Sequence, residues 1–445
     1  MKTIGIDIGT TSISASVFDT EHPERDDSCN IPNGSFIGGE EWESLRDPAQ
    51  IVFKAKQLLD RQLDSHPDIC AVGLTGQMHG MLYTDENGQH ISPLYTWQDG
   101  RGNRKLPGGK TACEILQEEY GRKIHTGYGL ATHLWHMHSG LVPEAAVSFC
   151  TAADYFGMCL TGRKLPLIHS SMAASMGVYD AALQEVDLPL LKTLGLSESF
   201  YPAVTPDFAG IGSYSGIPVC TALGDNQASF LGSVEAAPDT VLLNMGTGGQ
   251  VSVLSEAFSR AEGIEARPVC RGFYLLAGSS LCGGRAYALL KDFFRSYAEA
   301  MGITDADHYS VMNALLEKGA PKDRLKVSTL FAGTRENPRL RGSVENISTE
   351  NFTPAALIDG VLDGMTDELY QLFLKMKHCT GREYTVLKAS GNGVRKNKWL
   401  QQKVSERFGL PLSLTAYGEE AARGAAKTAL AAAGFITPSV LLGME

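Results

Sequence analysis

The stretch that decides the fold is Met1 to Asp19, MKTIGIDIGTTSISASVFD. Two apolar runs, Thr3 to Ile8 and Ser12 to Phe18, flank Gly9-Thr10-Thr11, which predicts two strands joined by a tight turn. Gly9 leaves no side chain in the way of a ligand and tolerates a left-handed backbone. The turn can therefore offer backbone N–H groups and two hydroxyl groups to a phosphate.

A carboxylate stands at the end of the first predicted strand, beside that turn. Asp7 can hold a hydrated Mg²⁺ ion, which keeps several waters and needs only one or two carboxylates besides phosphate oxygens. A lone D-x-G-T-T is also typical of an ordinary hairpin with a threonine turn. The rest of the chain has to decide between the two interpretations.

Length and composition bound the class of protein. At 445 residues the chain exceeds what one hydrophobic core usually supports, so two domains are expected. Hydrophobic residues at 43% and charged residues at 20% are typical of a globular protein. The formal net charge of −11, without a basic run, argues against a nucleic-acid partner.

The pattern of apolar residues and cysteines predicts a cytoplasmic location. Asp7 interrupts the first apolar segment, which argues against a signal peptide. The sequence contains no stretch of about 18 apolar residues, so it predicts no membrane span. The nine cysteines contain no C-x-x-C pair, so we interpret them as small buried hydrophobic residues in a reducing compartment.

A second strand, glycine-threonine turn and strand occurs in the middle of the chain. Val241 to Met245 and Gln250 to Leu254 flank Gly246-Thr247-Gly248-Gly249, and Pro238-Asp239 precedes them. This repetition predicts two related α/β halves that bind opposite ends of one phosphate chain. We therefore predict domains at 1–237 and 238–445.

Other segments predict the elements around these turns. Asp47-Pro48 reads as the start of a helix that buries a set of apolar residues: Ile51, Phe53, Ala55, Leu58, Leu59 and Leu63. Ile69 to Leu74 predicts a buried strand, and Asp85-Glu86-Asn87-Gly88 predicts a hairpin between 83–84 and 90–94. A helix from about Glu419 carries small residues that suit close approach to another backbone.

Three loops at predicted strand ends hold candidate site residues. Gln77-Met78-His79-Gly80 follows one strand, and Asp225 follows Val219 to Leu223. Asp225 is either a general base or the N-cap of the next helix. Ser390-Gly391-Asn392-Gly393 follows the strand Tyr384 to Ala389 and precedes a helix from Asn397 to Phe408.

Three nearby histidines do not predict a metal site. His133, His136 and His138 have spacings of i, i+3 and i+5, which cannot all share one helical face. No cysteine or carboxylate beside them completes a set of ligands.

With both glycine-threonine turns, Gly224-Asp225-Asn226-Gln227-Ala228 and the late Ser-Gly-Asn-Gly loop in order, the chain resembles the FGGY family of carbohydrate kinases. The likeness runs over nearly the whole length. It implies an α/β fold of two actin/hexokinase-like (ribonuclease H-like) domains around a central cleft. The N-terminal domain would bind sugar and supply the catalytic base, and the C-terminal domain would bind the nucleotide.

The resemblance also implies a role for each matching residue. Asp225 would be the general base and, with Asp7, a ligand of Mg²⁺. The sugar would be held by Gln77, Met78, His79, Gly80, Trp97, Asp99 and Arg101. The phosphates of ATP would be held by Thr10, Thr11, Gly246, Thr247 and Gly248, and its adenine and ribose by Gly391, Gly393 and Asn397.

Longer blocks suggest the acceptor. Thr126 to Thr132, TGYGLAT, and Ala222 to Ser229, ALGDNQAS, resemble the branch of the family that phosphorylates sedoheptulose, whereas Met78-His79-Gly80 resembles the xylulose kinase branch. We expect sedoheptulose, with D-xylulose or another ketose or polyol as the alternative. A different alternative is a catalytically silent, sugar-responsive actin-like ATPase. Sugar and ATP are the expected partners, without nucleic acid or membrane, and the expected state is a monomer or homodimer.

Overall fold

A computed structural model describes residues 1–177, 179–317, 319, 322–335 and 337–444. The chain forms two compact units. The first unit comprises Met1–Glu235, Arg267–Tyr274 and the segment from Ala416 onward, and the second comprises Ala236–Ala266 and Leu275–Thr415. The predicted boundary at 237 lies beside the point where the chain first passes from one unit to the other, at 235–236. The chain passes between the units three more times.

The strands are, in chain order, β1 (Lys2–Ile8), β2 (Ser12–Asp19), β3 (Asp27–Pro32), β4 (Phe36–Ile37), β5 (Leu45–Arg46), β6 (Ile69–Gly76), β7 (Leu82–Thr84), β8 (Leu94–Tyr95), β9 (Ser148–Cys150), β10 (Leu167–His169), β11 (Tyr179–Asp180), β12 (Glu185–Val186), β13 (Ala203–Thr205), β14 (Gly210–Tyr214), β15 (Ile217–Gly224), β16 (Thr240–Met245), β17 (Gly249–Ser255), β18 (Ile264–Cys270), β19 (Phe273–Ser280), β20 (Lys326–Ser328), β21 (Ser343–Glu345), β22 (Val386–Ser390) and β23 (Leu412–Leu414).

The α-helices are α1 (Pro48–Ser65), α2 (Ala112–Tyr120), α3 (Gly129–Ser139), α4 (Ala152–Thr161), α5 (Ser170–Met176), α6 (Leu188–Thr193), α7 (Asp225–Ser233), α8 (Gly283–Ala300), α9 (His308–Glu317), α10 (Pro354–Thr380), α11 (Asn392–Arg395), α12 (Lys398–Phe408), α13 (Glu420–Ala432) and α14 (Pro438–Leu441). Short 3₁₀ helices span Arg101–Asn103 and Ala237–Asp239.

The first unit is built on a six-stranded sheet in the order β14-β15-β6-β1-β2-β3. The predicted hairpin of β1 and β2 is confirmed, with Asp7 opposite Ser14. β1, β6 and β15 are parallel, and Asp7, Thr75 and Leu223 share one level of the sheet. The carboxyl ends of these three strands therefore meet at one edge.

Helix α13 lies against the backbone of this sheet, as its small residues predict. A Cβ on Gly5 would collide with the carbonyl oxygen of Ala422, and one on Gly73 would collide with that of Ala425. Thr3 Oγ1 also donates a hydrogen bond of 2.7 Å to Ala426 O. Larger side chains at these positions would push the helix off the sheet.

The second unit is organised around a sheet of six strands in the order β18-β19-β17-β16-β22-β23. Residues 267–274, at the turn between β18 and β19, belong to the first unit. The predicted turn between β16 and β17 is confirmed by their antiparallel pairing, with Met245 opposite Gly249. β16 is parallel to β22, with Asn244 beside Ser390. The 246–248 turn and the 391–393 loop therefore emerge side by side.

The helix predicted from Asp47-Pro48 is α1. Asp47 is its N-cap and accepts hydrogen bonds from Ala49 N and Gln50 N. The predicted burial is right for four positions, Ile51, Ala55, Leu58 and Leu59. It is wrong for Phe53, which is 62% exposed. Phe53 lies on the opposite side of the helix, because it is two residues after Ile51 and two residues before Ala55.

The hairpin predicted around Asn87-Gly88 forms only in part. Asp85 N donates to Gln89 O at 2.9 Å, Ile91 N donates to Tyr83 O at 3.0 Å, and Thr84 and His90 make an isolated antiparallel bridge, but no two-stranded sheet follows from this turn. β7 pairs with β9 instead, and β8 pairs with β5. Partners distant in sequence cover these short strands, and local turn chemistry does not reveal them.

No helix in the described ranges is both long and apolar enough to cross a membrane. All nine cysteines are free thiols.

Candidate active site

Two carboxylates stand at the carboxyl edge of the first unit's sheet. Asp7 lies in the penultimate position of β1, and Asp225 follows β15 directly. Burial raises the pKa of Asp7 to about 7, and the negative charges of Asp225 and Glu419 add to the rise. Asp7 Oδ1 is buried without a hydrogen-bond partner among the described residues. This oxygen is therefore suited to bind a cation.

Asp225 begins α7 without capping it. Gly224 is the N-cap residue, and no side chain caps the helix. Asp225 Oδ1 instead accepts a hydrogen bond of 2.8 Å from Asn226 Nδ2. Burial raises the pKa of Asp225, opposed by the Asn226 bond and by the positive charge of Arg267. The N-cap interpretation is wrong.

The 9–11 turn is supported by a residue that sequence reasoning missed. Asn33 is fully buried, and its Nδ2 donates to Gly9 O at 2.7 Å. Its backbone N donates to Thr11 O at 2.9 Å. Asn33 thus fixes two carbonyl groups of the turn. It follows β3 and carries no local signal beyond an Asn-Gly pair.

The 77–80 loop continues β6 at the same edge. Gln77 is buried, and its side-chain nitrogen and oxygen have no partner within the described structure. A Cβ on Gly80 would lie 2.6 Å from Tyr95 O, so only glycine fits there. Two orphaned amide atoms at a strand end are suited to a ligand rich in hydroxyl groups.

His79 is held in an unusual conformation within this loop. Its φ is +79°, which is uncommon for a residue with a side chain. Its backbone N donates to Ser175 Oγ at 3.1 Å, its Nδ1 lies 3.0 Å from Ser175 O, and its ring stacks on Tyr128 at 4.2 Å. Because a carbonyl oxygen only accepts, Nδ1 carries the proton of this hydrogen bond.

Trp97 joins the predicted sugar residues to the 9–11 turn. Its side chain is 46% exposed, and its Nε1 donates to Thr10 Oγ1 at 3.1 Å. Gly127 of the TGYGLAT block lies against the Trp97 carbonyl group, where a Cβ would collide. Since an indole N–H only donates, Thr10 accepts this bond and its own proton can point to a phosphate oxygen.

We expect Trp97→Phe to lower kcat by about 3- to 10-fold, the equivalent of one hydrogen bond, with the KM of the sugar changed less than about threefold. Phenylalanine keeps the apolar face but cannot orient Thr10. Steady-state kinetics of Trp97→Phe, Thr10→Val and the double variant check this, and the double variant should lose little more than Thr10→Val. Trp399→Phe is the control, because Trp399 Nε1 has no partner among the described residues. Additive losses would contradict the coupling.

Asp99 and Arg101 form a buried ion pair. Asp99 is fully buried, and its Oδ1 accepts from Arg101 Nε at 2.6 Å while its Oδ2 accepts from Ser44 N at 3.0 Å. The Arg101 guanidinium lies 4.0 Å from the centre of the Tyr95 ring. Both side chains are therefore engaged in contacts within the protein.

Two of the three histidines extend this buried network. Arg101 NH1 donates to His136 Nε2 at 2.5 Å, and Tyr83 Oη lies between the Nδ1 atoms of His136 and His133, at 3.0 and 2.7 Å. Burial lowers the pKa of His133 to about 4 and that of His136 to about 3, so both rings are neutral. Within the described ranges, no group of three His, Cys, Asp or Glu residues could hold a metal ion.

In the second unit, the 246–248 turn packs against the first turn of α8. Gly284 N donates to Gly246 O and Arg285 N donates to Thr247 O, both at 2.9 Å. A Cβ on Gly283 or Gly284 would collide with the turn. The positive end of α8 therefore faces the segment predicted to bind phosphate.

A cavity of about 600 Å³ opens beside this turn, within the range of small-ligand sites. It is lined by Gly246, Thr247, Gly284, Arg285, Tyr287, Ala288, Leu289, Asp292, Tyr309, Asn313, Met365, Asn392, Gly393, Lys396, Asn397 and Leu400. Four residues from the predicted nucleotide set line it: Gly246, Thr247, Gly393 and Asn397. Gly391 adjoins it with φ +92°, packed on Met245.

Aromatic residues that sequence reasoning missed form part of the cavity wall. Tyr287 stacks on Tyr309 with ring centres 5.7 Å apart, and its hydroxyl donates to Asn313 Oδ1 at 3.2 Å. Asn397 is the N-cap of α12 and accepts from Leu400 N at 3.0 Å. A flat apolar wall with amide groups at its border is suited to a base and ribose. The only sequence signal was the apolar spacing of α8.

The donor sets fit MgATP. The buried, partnerless Oδ1 of Asp7 is a hard oxygen ligand, and Mg²⁺ needs few carboxylates when phosphates and water complete its shell. The glycines of the second unit remove side chains from both loops beside the cavity.

Sequence comparisons match both units. The model of the FGGY family of carbohydrate kinases, N-terminal domain, matches residues 2–232, and that of the C-terminal domain matches residues 241–433. The chain is 26% identical to a sedoheptulokinase of Mus musculus, over 92% of this chain and 93% of that protein. It is 23% identical to a xylulose kinase of Staphylococcus epidermidis, over 95% and 86%.

Solved structures show the same fold. The xylulose kinase of Rhodospirillum rubrum superposes with a TM-score of 0.83 at 21% identity, covering 100% of this chain and 92% of that one. The glycerol kinase of Plasmodium falciparum, solved with ADP, gives 0.79 at 17% identity, covering 99% and 92%. The predicted two-domain actin/hexokinase-like α/β fold is confirmed.

Proposed function

The chain belongs to the FGGY family of carbohydrate kinases, and on that premise we propose that it phosphorylates a terminal hydroxyl group of sedoheptulose to give sedoheptulose 7-phosphate. Carbohydrate kinase activity follows from the family. The proposal extends it to one acceptor and to named residues. The observation that carries the residue roles is the placement of Asp7, Gln77 and Asp225 at one edge of a sheet.

Asp225 takes the proton of the acceptor hydroxyl as its oxygen attacks the γ-phosphorus of ATP, and ADP leaves with the electron pair of the broken P–O bond. Gln77, Met78, His79 and Gly80 hold the sugar beside that carboxylate, and Trp97 offers it a flat apolar face. Asp99 and Arg101 serve this site by keeping the Trp97 loop in place.

The donor is held by backbone and hydroxyl groups. Thr10 and Thr11 on the first unit, and Gly246, Thr247 and Gly248 on the second, bind phosphate oxygens. Gly391, Gly393 and Asn397 accommodate adenine and ribose beside Tyr287. Asp7 and Asp225 would hold Mg²⁺, which supplies neutralisation of the phosphate charge when it is bound.

Sedoheptulose is favoured by the TGYGLAT and ALGDNQAS blocks and by similarity to the mouse sedoheptulokinase along nearly the whole chain. D-xylulose is the second candidate, because the Gln77-Met78-His79-Gly80 loop resembles the xylulose kinase branch. One carbon more or less in a pocket changes specificity by only about 1–3 kcal/mol. The acceptor therefore has to be measured.

The test is coupled ADP release with MgATP and sedoheptulose, D-xylulose, D-ribulose, D-fructose or glycerol, ranked by kcat/KM. We expect sedoheptulose to lead by tenfold or more, about 1.4 kcal/mol of transition-state preference. If another ketose leads, the acceptor assignment is wrong. If no sugar stimulates ADP release, the silent, actin-like alternative takes its place.

We expect Ala288→Trp to raise the KM of ATP by at least about tenfold, or about 1.4 kcal/mol of binding, because the indole would occupy the cavity that Ala288 lines. The KM of the sugar should stay within about threefold. Ala300→Trp is the matched control, because Ala300 is exposed in the last turn of the same helix. Equal KM values of ATP in the two variants would show that the nucleotide does not bind in this cavity.

We further propose a cytosolic enzyme that acts as a monomer or homodimer. The nine free cysteines support a reducing compartment. Size-exclusion chromatography with light scattering would determine the oligomeric state.

A further inference from the structure

His79 is held by residues from two helices of the first unit. Ser175, in the last turn of α5, accepts a hydrogen bond on its Oγ from His79 N at 3.1 Å, and its carbonyl oxygen lies 3.0 Å from the ring Nδ1. The ring of Tyr128, at the start of α3, stacks on the imidazole, with ring centres 4.2 Å apart and planes inclined by 17°. The histidine is therefore fixed through its backbone, one ring nitrogen and one ring face.

Both partners of His79 are anchored in their own helices. Ser175 is buried, and its Oγ donates to Met172 O at 2.7 Å. Tyr128 is the N-cap residue of α3, and its carbonyl oxygen accepts from Thr132 N at 3.0 Å. The first turn of α3 is buried. The position of the Tyr128 ring is thus set by a helix packed in the core.

The backbone of His79 needs such support. Its φ of +79° is a conformation that costs free energy for a residue with a side chain, and it persists where the surroundings enforce it. Among the described residues, three others that are not glycine have positive φ, namely Gln184, Ser215 and Asn346. Two lie in hairpin turns and one follows β21, so His79 is the one at the carboxyl edge of a sheet.

The residues before Tyr128 contact the Trp97 loop. A Cβ on Gly127 would collide with the Trp97 carbonyl group, and Thr126 Oγ1 donates to Asp99 O at 2.8 Å. One short segment therefore contacts both loops that we propose to hold the sugar. A change in this segment can alter the distance between those loops without touching the sugar itself.

We propose that Tyr128 is a positioning residue for the acceptor sugar, which fixes the plane of the His79 imidazole and joins the 77–80 loop to the Trp97 loop. The inference rests on the proposed function, which places the sugar at these loops. A small misplacement of a group that orients a substrate lowers turnover strongly. Tyr128 acts through His79 and exchanges no proton.

The first test compares Tyr128→Leu with Tyr120→Leu. Tyr120 ends α2 and is partly buried against the same core, so its variant is a matched loss of a tyrosine ring. With the preferred ketose, we expect kcat/KM of Tyr128→Leu to fall about 10- to 100-fold, and that of Tyr120→Leu to stay within about threefold of wild type. The KM of ATP should change less than about threefold in both. Equal kcat/KM values of the two variants would overturn the proposal.

Tyr128→Phe is the second arm, because it keeps the ring that stacks on His79. We expect its kcat/KM to lie within about threefold of wild type, a rescue that requires a flat ring. A loss of about tenfold or more would overturn the proposal, also where the leucine variant folds poorly.

A double-variant cycle with His79→Ala is the third arm. Because Tyr128 acts through the imidazole, adding Tyr128→Leu to His79→Ala should lower kcat/KM by no more than about threefold further. Losses that multiply would overturn the proposal, since Tyr128 would then act independently of His79. A wild type without sugar-dependent ADP release would refute the proposed function instead, so the two failures are distinguishable.

Discussion

Asp225→Asn is expected to lower kcat by roughly 10² to 10⁴-fold, because an amide cannot take the proton of the acceptor hydroxyl group. The fold should be unaffected, since Asp225 does not cap α7 and Asn226 can still donate to an amide oxygen. The KM of ATP should change less than kcat. Steady-state kinetics with the preferred ketose measure this directly.

The control for this variant is Asp64→Asn, an equally small change on the exposed face of α1. Its kcat should equal that of the wild type. If Asp225→Asn also kept wild-type turnover, the base would have to lie elsewhere. A melting temperature of Asp225→Asn no lower than that of Asp64→Asn would show that the loss is chemical.

Asp7→Asn is expected to raise the Mg²⁺ concentration needed for half-maximal activity by at least about 10- to 100-fold, the loss of affinity that is typical when a residue supporting a metal site is removed. It should also lower kcat at saturating Mg²⁺. The carboxylate oxygen without a protein partner is the physical reason. Titration of activity with Mg²⁺ at fixed ATP measures the effect. Unchanged Mg²⁺ dependence would show that Asp7 does not hold the metal.

The raised pKa of Asp7 predicts that the Mg²⁺ affinity of the wild type depends on pH and that this dependence is lost in Asp7→Asn. With a pKa of about 7 in the metal-free protein, the carboxyl group must lose a proton before it binds a cation. The apparent affinity of the wild type for Mg²⁺ should therefore fall about tenfold per pH unit below pH 7. Asp7→Asn should lack this dependence, and a wild-type affinity that stays flat between pH 5.5 and about 7 would contradict the assignment.

The folding stability of the protein should follow the same titration of Asp7, but here ionisation of the carboxyl group is unfavourable. The folded pKa of about 7 exceeds the ordinary value of 3.8, so the stabilisation is complete below pH 3.8 and lost as pH rises through 7. Without Mg²⁺, Asp7→Asn should melt at a higher temperature than the wild type at pH 8, with a smaller difference at pH 5. A functional carboxylate kept at a cost in stability is common in enzymes.

Much of the scaffold was predictable because local signals and tertiary packing agree. The two glycine-threonine turns lie between strands that pair as expected, and Asp47 caps α1 as an Asp-Pro start predicts. Asp225 was identified from its setting after a strand, but the sequence could not tell a cap from a base. The structure excludes the cap, because Gly224 is the N-cap residue of α7, and the role of Asp225 as a base stays a proposal.

Burial and long-range pairing were the features that local patterns could not reveal. Asp99 and Arg101 read as polar groups for a sugar, yet they close on each other inside the first unit. Phe53 was assigned to the core by its apolar character, although its angular position on α1 faces solvent. Asn33 reaches the 9–11 turn from a segment distant in sequence, so no spacing rule marks it.

The most direct test of the central claim is the product itself. Wild-type protein, MgATP and sedoheptulose should give one sugar monophosphate for each ADP released, detected by mass spectrometry and ³¹P NMR, and Asp225→Asn should give almost none. Release of ADP without a phosphorylated sugar, or equal product from both proteins, would contradict the account.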